Sequence, residues 1–393
     1  MKSLPLFPVT TVGSWPRSSE LLRAQSRKQR DIISAAEFER VADKAVLETL
    51  RLQEEAGVDL VTDGEQRRDN FYSFVAEKLD GVRLMSLAEM LDIVEDKVGF
   101  ERILQTLDVP AFSIRNPTCV GKIERRAPLA LDEYLFLRQH TDRPIKVPLP
   151  GPYLLTRAMW VKEATRAVYP TKEELAEDVV RILRQEVSEL RDAGADFVQF
   201  DEPVLTELVF TQGQTRTFMC AALAARNDPA EELEFAVDLI NRVVTGLDGL
   251  RIGLHVCRGN WSQQEQTLLK GSYHPLAPYL ARLNVQQLVL EFATPRAGEL
   301  AALLGVREIV NEKELGLGVV NPRTPETEPV AAIVERVKEA LQYLPPERIF
   351  LNPDCGFGTF SSRPMNSVKV AIRKLEALAQ AAAVLRADYP GTG

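Results

Sequence analysis

Histidine and cysteine are scarce: the 393 residues include only His140, His255 and His274, and Cys119, Cys220, Cys257 and Cys355. Four cysteines in so long a chain exclude a disulfide framework, and a chain of this size buries a core without one. A basic surplus is also missing. With 48 Lys+Arg against 56 Asp+Glu the formal charge is -8, which removes the electrostatic footprint of a nucleic-acid or anionic-membrane partner. No apolar run approaches the roughly 20 residues of a membrane helix, and Met1-Lys2-Ser3-Leu4-Pro5 opens no signal-peptide apolar region. The chain reads as a soluble cytoplasmic protein. No low-complexity tract or flexible linker divides it, and its few soft side chains point to metal or catalytic chemistry.

Short β-rich runs alternate with long amphipathic helical stretches along the chain, the pattern of βα units and a parallel sheet. The expected strands are Pro8–Gly13, Val58–Asp63, Ile145–Pro150, Asp196–Asp201, Arg251–Val256, Gln287–Glu291, Leu315–Val320 and Arg348–Asn352. Eight such units predict an α/β fold, a (β/α)8 TIM barrel built by residues 1–393 as a single domain. Ser34 to Glu37 and Thr171 to Glu174 are capping-box patterns, and Asp228-Pro229 pairs an N-cap with proline at the first helical position. Gly57 and Gly194 follow helices just before strands, inside a repeated Ala-Gly-[Val/Ala]-Asp phrase that marks the αβ turn. The connection over residues 64–144 is too long for one helix and carries Pro117 and Pro128. It predicts an inserted subdomain at 76–140, between the second and third strands.

In such barrels the site sits at the C-terminal strand ends. His255 and Cys257, two apart on one strand, share a face. By itself the pair is equally consistent with a buried imidazole beside a buried thiol. Cys355 and Glu291, each at the end of another strand, complete a set of imidazole, two thiolates and carboxylate that suits tetrahedral Zn²⁺. Such a site carries net negative charge and favours exchange of one anionic ligand for an incoming thiolate, with Glu291, the hardest ligand, leaving. Glu65 and Asp201, at two further strand ends, suit a cationic group such as an ammonium, and Glu202 could exchange roles with Asp201. Cys119, Cys220, His140 and His274 have no such company and read as structural.

Taken together, the phrases Val12-Gly-Ser-Trp-Pro-Arg17, Asp63-Gly-Glu-Gln-Arg-Arg-Asp-Asn70, Gln199-Phe-Asp-Glu-Pro203, His255-Val-Cys257, Leu288-Val-Leu-Glu291 and Asn352-Pro-Asp-Cys-Gly356 resemble the C-terminal catalytic barrel of cobalamin-independent methionine synthase. They occur in family order over nearly the whole chain. The resemblance implies zinc bound by His255, Cys257, Glu291 and Cys355, the homocysteine carboxylate held by Ser14, and its ammonium held by Glu65 and Asp201. It further implies a zinc-dependent methyltransferase that makes methionine from homocysteine, zinc lowering the thiol pKa so that a thiolate forms near neutral pH.

Two departures from the family bear on the methyl donor. Only the catalytic barrel is present, and Asn321 and Arg323 stand where the family's seventh strand carries a proton relay of Asp and His. A methyl on a folate nitrogen needs that nitrogen protonated, whereas Co(I) leaves without a proton. The expected donor is therefore methylcobalamin or a corrinoid carrier protein, with 5-methyltetrahydropteroyl-glutamate, a methyltetrahydrofolate, as the alternative. Two rival activities are zinc-dependent alkylation of another thiol, of the epoxide:thiol transferase type with Arg17, Arg67 or Arg258 binding a sulfonate, and non-catalytic zinc or homocysteine binding.

Overall fold

The structure, a computed structural model, describes residues 3–93, 97–98, 101, 115–210, 228–264, 268–361 and 363–390. Six parallel strands run in sequence order: β3 (Lys146–Pro150), β4 (Phe197–Asp201), β5 (Arg251–Val256), β6 (Gln287–Glu291), β7 (Glu314–Val320) and β8 (Ile349–Pro353). They follow β1 (Leu79–Ser86) and β2 (Arg115–Arg125), an antiparallel pair outside this sheet. All five residues of β3, β4, β6 and β8 are buried, as expected of strands covered on both faces.

The expected first and second strands close the barrel by single parallel bridges: Val9 pairs with Leu351, Thr10 with Leu60, and Val61 with Ile145. Side chains replace the rest of the ladder. Gln53, in the helix Ala35–Glu55, accepts from the Thr62 amide at 3.1 Å and donates to the Thr62 carbonyl at 2.8 Å. The Asp59 carboxylate accepts from the Val9 amide at 2.9 Å, and the Thr10 hydroxyl donates to the Leu60 carbonyl at 2.9 Å. The chain here has no continuous strand because its polar backbone groups are already satisfied. The fold is a (β/α)8 barrel of the expected class, with two of its eight staves reduced to points.

The helix signals act as their chemistry requires. Ser34 and Glu37 form the reciprocal capping box, and Thr171 and Asp228 accept from amides of the following turns. Gly57 and Gly194 adopt φ of 86° and 85°, a left-handed turn that glycine enters without a Cβ clash.

The β1–β2 hairpin packs on the flank of the barrel. Asn116 donates to the Ala158 carbonyl at 2.6 Å, Thr165 to the Cys119 carbonyl at 2.8 Å, and Arg125 bonds Glu186 and Glu189 on the helix Lys172–Asp192. A buried ion pair ties the second strand end to the next helix and strand: Arg68 bonds Glu133 at 2.6 Å and the Pro148 carbonyl at 2.9 Å. Removing one partner of such a pair strands the other charge, whereas removing both relieves the desolvation cost. Glu133→Gln is therefore expected to lower unfolding stability by about 3 kcal/mol in urea titration, and the Arg68→Met/Glu133→Met double variant to recover most of that loss. Additive losses in the double variant would contradict this account.

Candidate metal and substrate site

Three soft donors converge where β5 and β8 end. His255 lies within β5, Cys257 one residue beyond it and Cys355 two residues beyond β8. Their donor atoms lie within 4.8 Å of one another, and all three residues are buried. The two sulfurs are 4.0 Å apart, far longer than the roughly 2.05 Å of a disulfide. It is close to the ~3.8 Å that separates two thiolates sharing a tetrahedral zinc with Zn–S of about 2.3 Å. The residues thus fit the metal in chemistry and in spacing.

Asp201, the last residue of β4, fixes the imidazole. Its Oδ1 lies 2.8 Å from His255 Nδ1 and accepts from Gln199 Nε2 at 3.0 Å. This arrangement turns Nε2, which lies 3.3 Å from the Asp354 carbonyl, to the side where it could ligate a metal, the usual way a carboxylate orients a ligating histidine. The charges cooperate. A hydrogen bond from the Cys355 thiol holds Cys257 well below the ordinary thiol range against its burial, and the adjoining His255 charge acts the same way. Cys355 is pushed up by the thiolate it serves and by burial. Burial disfavours the imidazolium, yet the Cys257 thiolate and Asp201 raise His255 overall.

Glu291, expected as the fourth ligand, stands outside this converging set. Its carboxylate bonds Arg258 Nη1 at 3.1 Å, Asn260 Nδ2 at 2.5 Å and Arg296 Nη2 at 3.3 Å. Two guanidinium groups and an amide outcompete two thiol groups for a carboxylate. Glu291 remains near enough for its charge to act on Cys257.

The cluster forms one wall of a pocket with about 430 Å³ of empty volume, which Ser14, Glu65 and Asp201 also line. Glu65 is buried with φ of 53°, and its Oε2 has no hydrogen-bond partner. Burial pushes its pKa up to about 7, with Arg68 opposing and Asp201 adding to the rise. The left-handed turn is clamped by Arg17, which donates to the Glu65 carbonyl at 2.7 Å and the Arg68 carbonyl at 3.0 Å. Gly13 makes room, since a Cβ there would collide with the Glu65 carboxylate. Glu202 faces elsewhere and accepts from the Tyr153 and Leu154 amides at 2.8 and 3.0 Å, so Asp201 is the carboxylate of that pair in the pocket.

Arg17, Arg67 and Arg258 are all committed. Arg17 serves backbone carbonyls, Arg67 bonds Glu39 and Asp43, and Arg258 bonds Glu291 and the Gly271 carbonyl. None of them lines the pocket, which removes the sulfonate-binding alternative's anchor. Asn321 and Arg323 are buried beside it: the Asn321 side chain accepts from the Arg323 amide, and Arg323 Nε donates to Asn260 Oδ1, both at 3.0 Å. Asn260 and Trp261 line the pocket but went unread in the sequence, although they follow Cys257 by only three and four residues. His140 and His274 are exposed, Cys119 is buried in the hairpin with its thiol on the Gly121 carbonyl at 3.0 Å, and Cys220 lies outside the described residues.

A family model described as "Cobalamin-independent synthase, Catalytic domain" matches residues 7–383. The chain belongs to the cobalamin-independent synthase family. Proteins named methionine synthase from Pyrococcus abyssi and Saccharolobus solfataricus are 30% and 28% identical to it. The first match covers 99% of this chain and 96% of the relative, the second 100% and 99%. A B12-independent methionine synthase from Shewanella sp. W3-18-1, solved with selenomethionine, shares the fold with a TM-score of 0.72 at 23% identity, over 98% of this chain and 99% of that one. A putative counterpart from Listeria monocytogenes gives 0.70 at 21% identity over the same shares. Like its family, the chain is a methyltransferase. No described helix is long and apolar enough to cross a membrane.

Membership in this family corrects the expected donor. Cobalamin independence excludes methylcobalamin, and the corrinoid carrier inferred from it loses its basis. Asn321 and Arg323, the residues at the place of the family's relay, are both engaged in the polar wall beside the pocket. Their identity says nothing about where a proton is held elsewhere in the site.

The buried Glu65 gives a measurable pH dependence. A carboxyl with a raised folded-state pKa binds its proton longer in the folded chain, so stability falls as pH rises from about 4.5 toward 7. In metal-free protein, Glu65→Gln is expected to match the wild type near pH 4. By pH 8 it should exceed it by an amount of order 3 kcal/mol, read by urea denaturation across that range. An equal stability difference at both ends would contradict this assignment.

Proposed function

We propose that the protein transfers the methyl group of a 5-methyltetrahydropteroyl-glutamate to the thiol of homocysteine, at a zinc ion held by His255, Cys257 and Cys355 with Glu291 as an exchangeable fourth ligand. The convergence of three buried soft donors beside two carboxylates and a serine carries this assignment. When bound, zinc supplies the acidity that keeps a thiol ionised near neutral pH.

The chain's own residues do the rest. Asp201 holds the imidazole by Nδ1 and, with Glu65, presents negative charge to the substrate ammonium, while Ser14 offers a hydroxyl to its carboxylate. Burial of these groups keeps water from competing and strengthens each contact. Overall, S–H and N–CH3 become S–CH3 and N–H, so the proton lost by the thiol is matched by the one gained at the departing nitrogen.

One assay tests this assignment. Zinc-loaded protein with homocysteine is expected to yield methionine from a methyltetrahydropteroyl-glutamate and none from methylcobalamin. Cys355→Ser should lose bound zinc and at least about 100-fold in rate. Zinc and homocysteine binding without turnover would reduce the protein to a binding role, and zinc uptake unchanged in Cys355→Ser would overturn the ligand assignment.

A further inference from the structure

A line of buried polar side chains runs from the closed end of the barrel to the donor cluster. Lys146, the first residue of β3, sends its amine into the interior. There Nζ donates to the Thr11 carbonyl at 2.8 Å and to Gln199 Oε1 at 3.2 Å, and lies over the Phe197 ring 5.1 Å from its centroid. Gln199 in turn donates from Nε2 to the Val12 carbonyl at 2.9 Å and to Asp201 Oδ1 at 3.0 Å. Asp201 Oδ1 lies 2.8 Å from His255 Nδ1. Lys146 and Gln199 are completely enclosed.

The direction of this chain is set at Lys146. A primary carboxamide can be turned end for end, and Gln199 turned over would aim an oxygen at Asp201, oxygen against oxygen in a buried site. Lys146 offers only N–H groups toward Oε1, so it accepts one orientation of the amide and rejects the other. Burial lowers the Lys146 pKa to about 7, with Asp201 opposing. An ammonium and a neutral amine both retain enough N–H bonds to donate to Thr11 and Gln199, so the selection survives deprotonation.

We infer that Lys146 is a positioning residue for the metal centre, acting through Gln199 and Asp201 to fix the His255 imidazole with Nδ1–H inward and Nε2 toward the two cysteines. The inference rests on the zinc centre proposed above, and on a contact chain that exists without the metal. A lysine buried without a carboxylate in contact costs stability. Removing it relieves that cost but leaves the Thr11 carbonyl and Gln199 Oε1 unpaired, so its role is told from packing by the zinc affinity and the imidazole signal, which a filler side chain would not move.

Lys146→Met, Gln199→Met and the double variant would be compared by chelator competition for zinc, by urea unfolding of metal-free protein, and by 15N NMR of the His255 Nδ1–H. Each single variant is expected to raise the zinc Kd about tenfold, within the range for groups that orient metal ligands. The double variant should be no weaker than the weaker single one, because the two residues act in series. Lys146→Met should change stability little, the relieved burial of the amine offsetting the two acceptors it leaves unpaired, and the His255 Nδ1–H signal, held against exchange in the wild type, should exchange away. Zinc Kd and imidazole signal both unchanged in Lys146→Met, or losses that multiply in the double variant, would overturn the inference. Should Lys146→Met fail to fold, Lys146→Leu takes its place with the same losses required, and an unchanged zinc Kd in Gln199→Met overturns the inference by itself. A wild type that takes up no zinc refutes the proposed metal centre, and the imidazole signal of the metal-free variants still decides the role of Lys146.

Discussion

Closure of the sheet by three single bridges is the constraint on which the site depends. The regular ladder from β3 to β8 delivers Asp201, His255, Cys257 and Cys355 in fixed register, Asp201 lying opposite His255. The irregular segment between β8 and β3 delivers Ser14 and Glu65, and it is held by its own Asp59 and Arg17 and by Gln53, Lys146 and Gln199 from neighbouring elements. The carbonyls of Thr11 and Val12 in these segments accept from Lys146 and Gln199. Irregular backbone and interior polar side chains are thus one arrangement, each satisfying what the other leaves open.

The same economy governs charge. The pocket gathers Glu65, Asp201 and Cys257, yet arginines are abundant nearby, and they are kept out of it by being occupied. Arg17 and Arg68 fasten the turn that carries Glu65, while Arg258 and Arg296 hold Glu291. What faces the cavity is acidic at one end and soft at the other, which suits a small amino acid bearing an ammonium and a thiol. Asn260 joins the two systems, bonding Glu291 with its amide and accepting from Arg296 and Arg323 with its oxygen.

Much of this was legible in the sequence. Strands β5 and β6 fall on the expected residues, because an apolar run between a turn and a polar strand end has little freedom in its limits. Cys257 and His255 were legible as a pair because alternation in a strand puts them on one face, and Cys355 because it ends another strand. The reduced first two strands were not, since the competitors for their backbone are side chains on neighbouring elements, Gln53 on the helix before the second strand and Lys146 on β3, 135 residues from Thr11. Nor was the orientation of Glu291, which depends on guanidinium groups brought in from beyond β5 and β6. Asn321 and Arg323 show the opposite error: two substitutions at one strand end were given a chemical meaning that their occupied contacts do not support.

The central claim is that His255, Cys257 and Cys355 form a metal centre open to a substrate thiol. X-ray absorption at the zinc edge tests it most directly, with and without homocysteine. The account predicts two sulfur neighbours in the zinc-loaded protein and three once homocysteine is added. A count that stays at two with saturating homocysteine, or zinc with no sulfur neighbour at all, would contradict it.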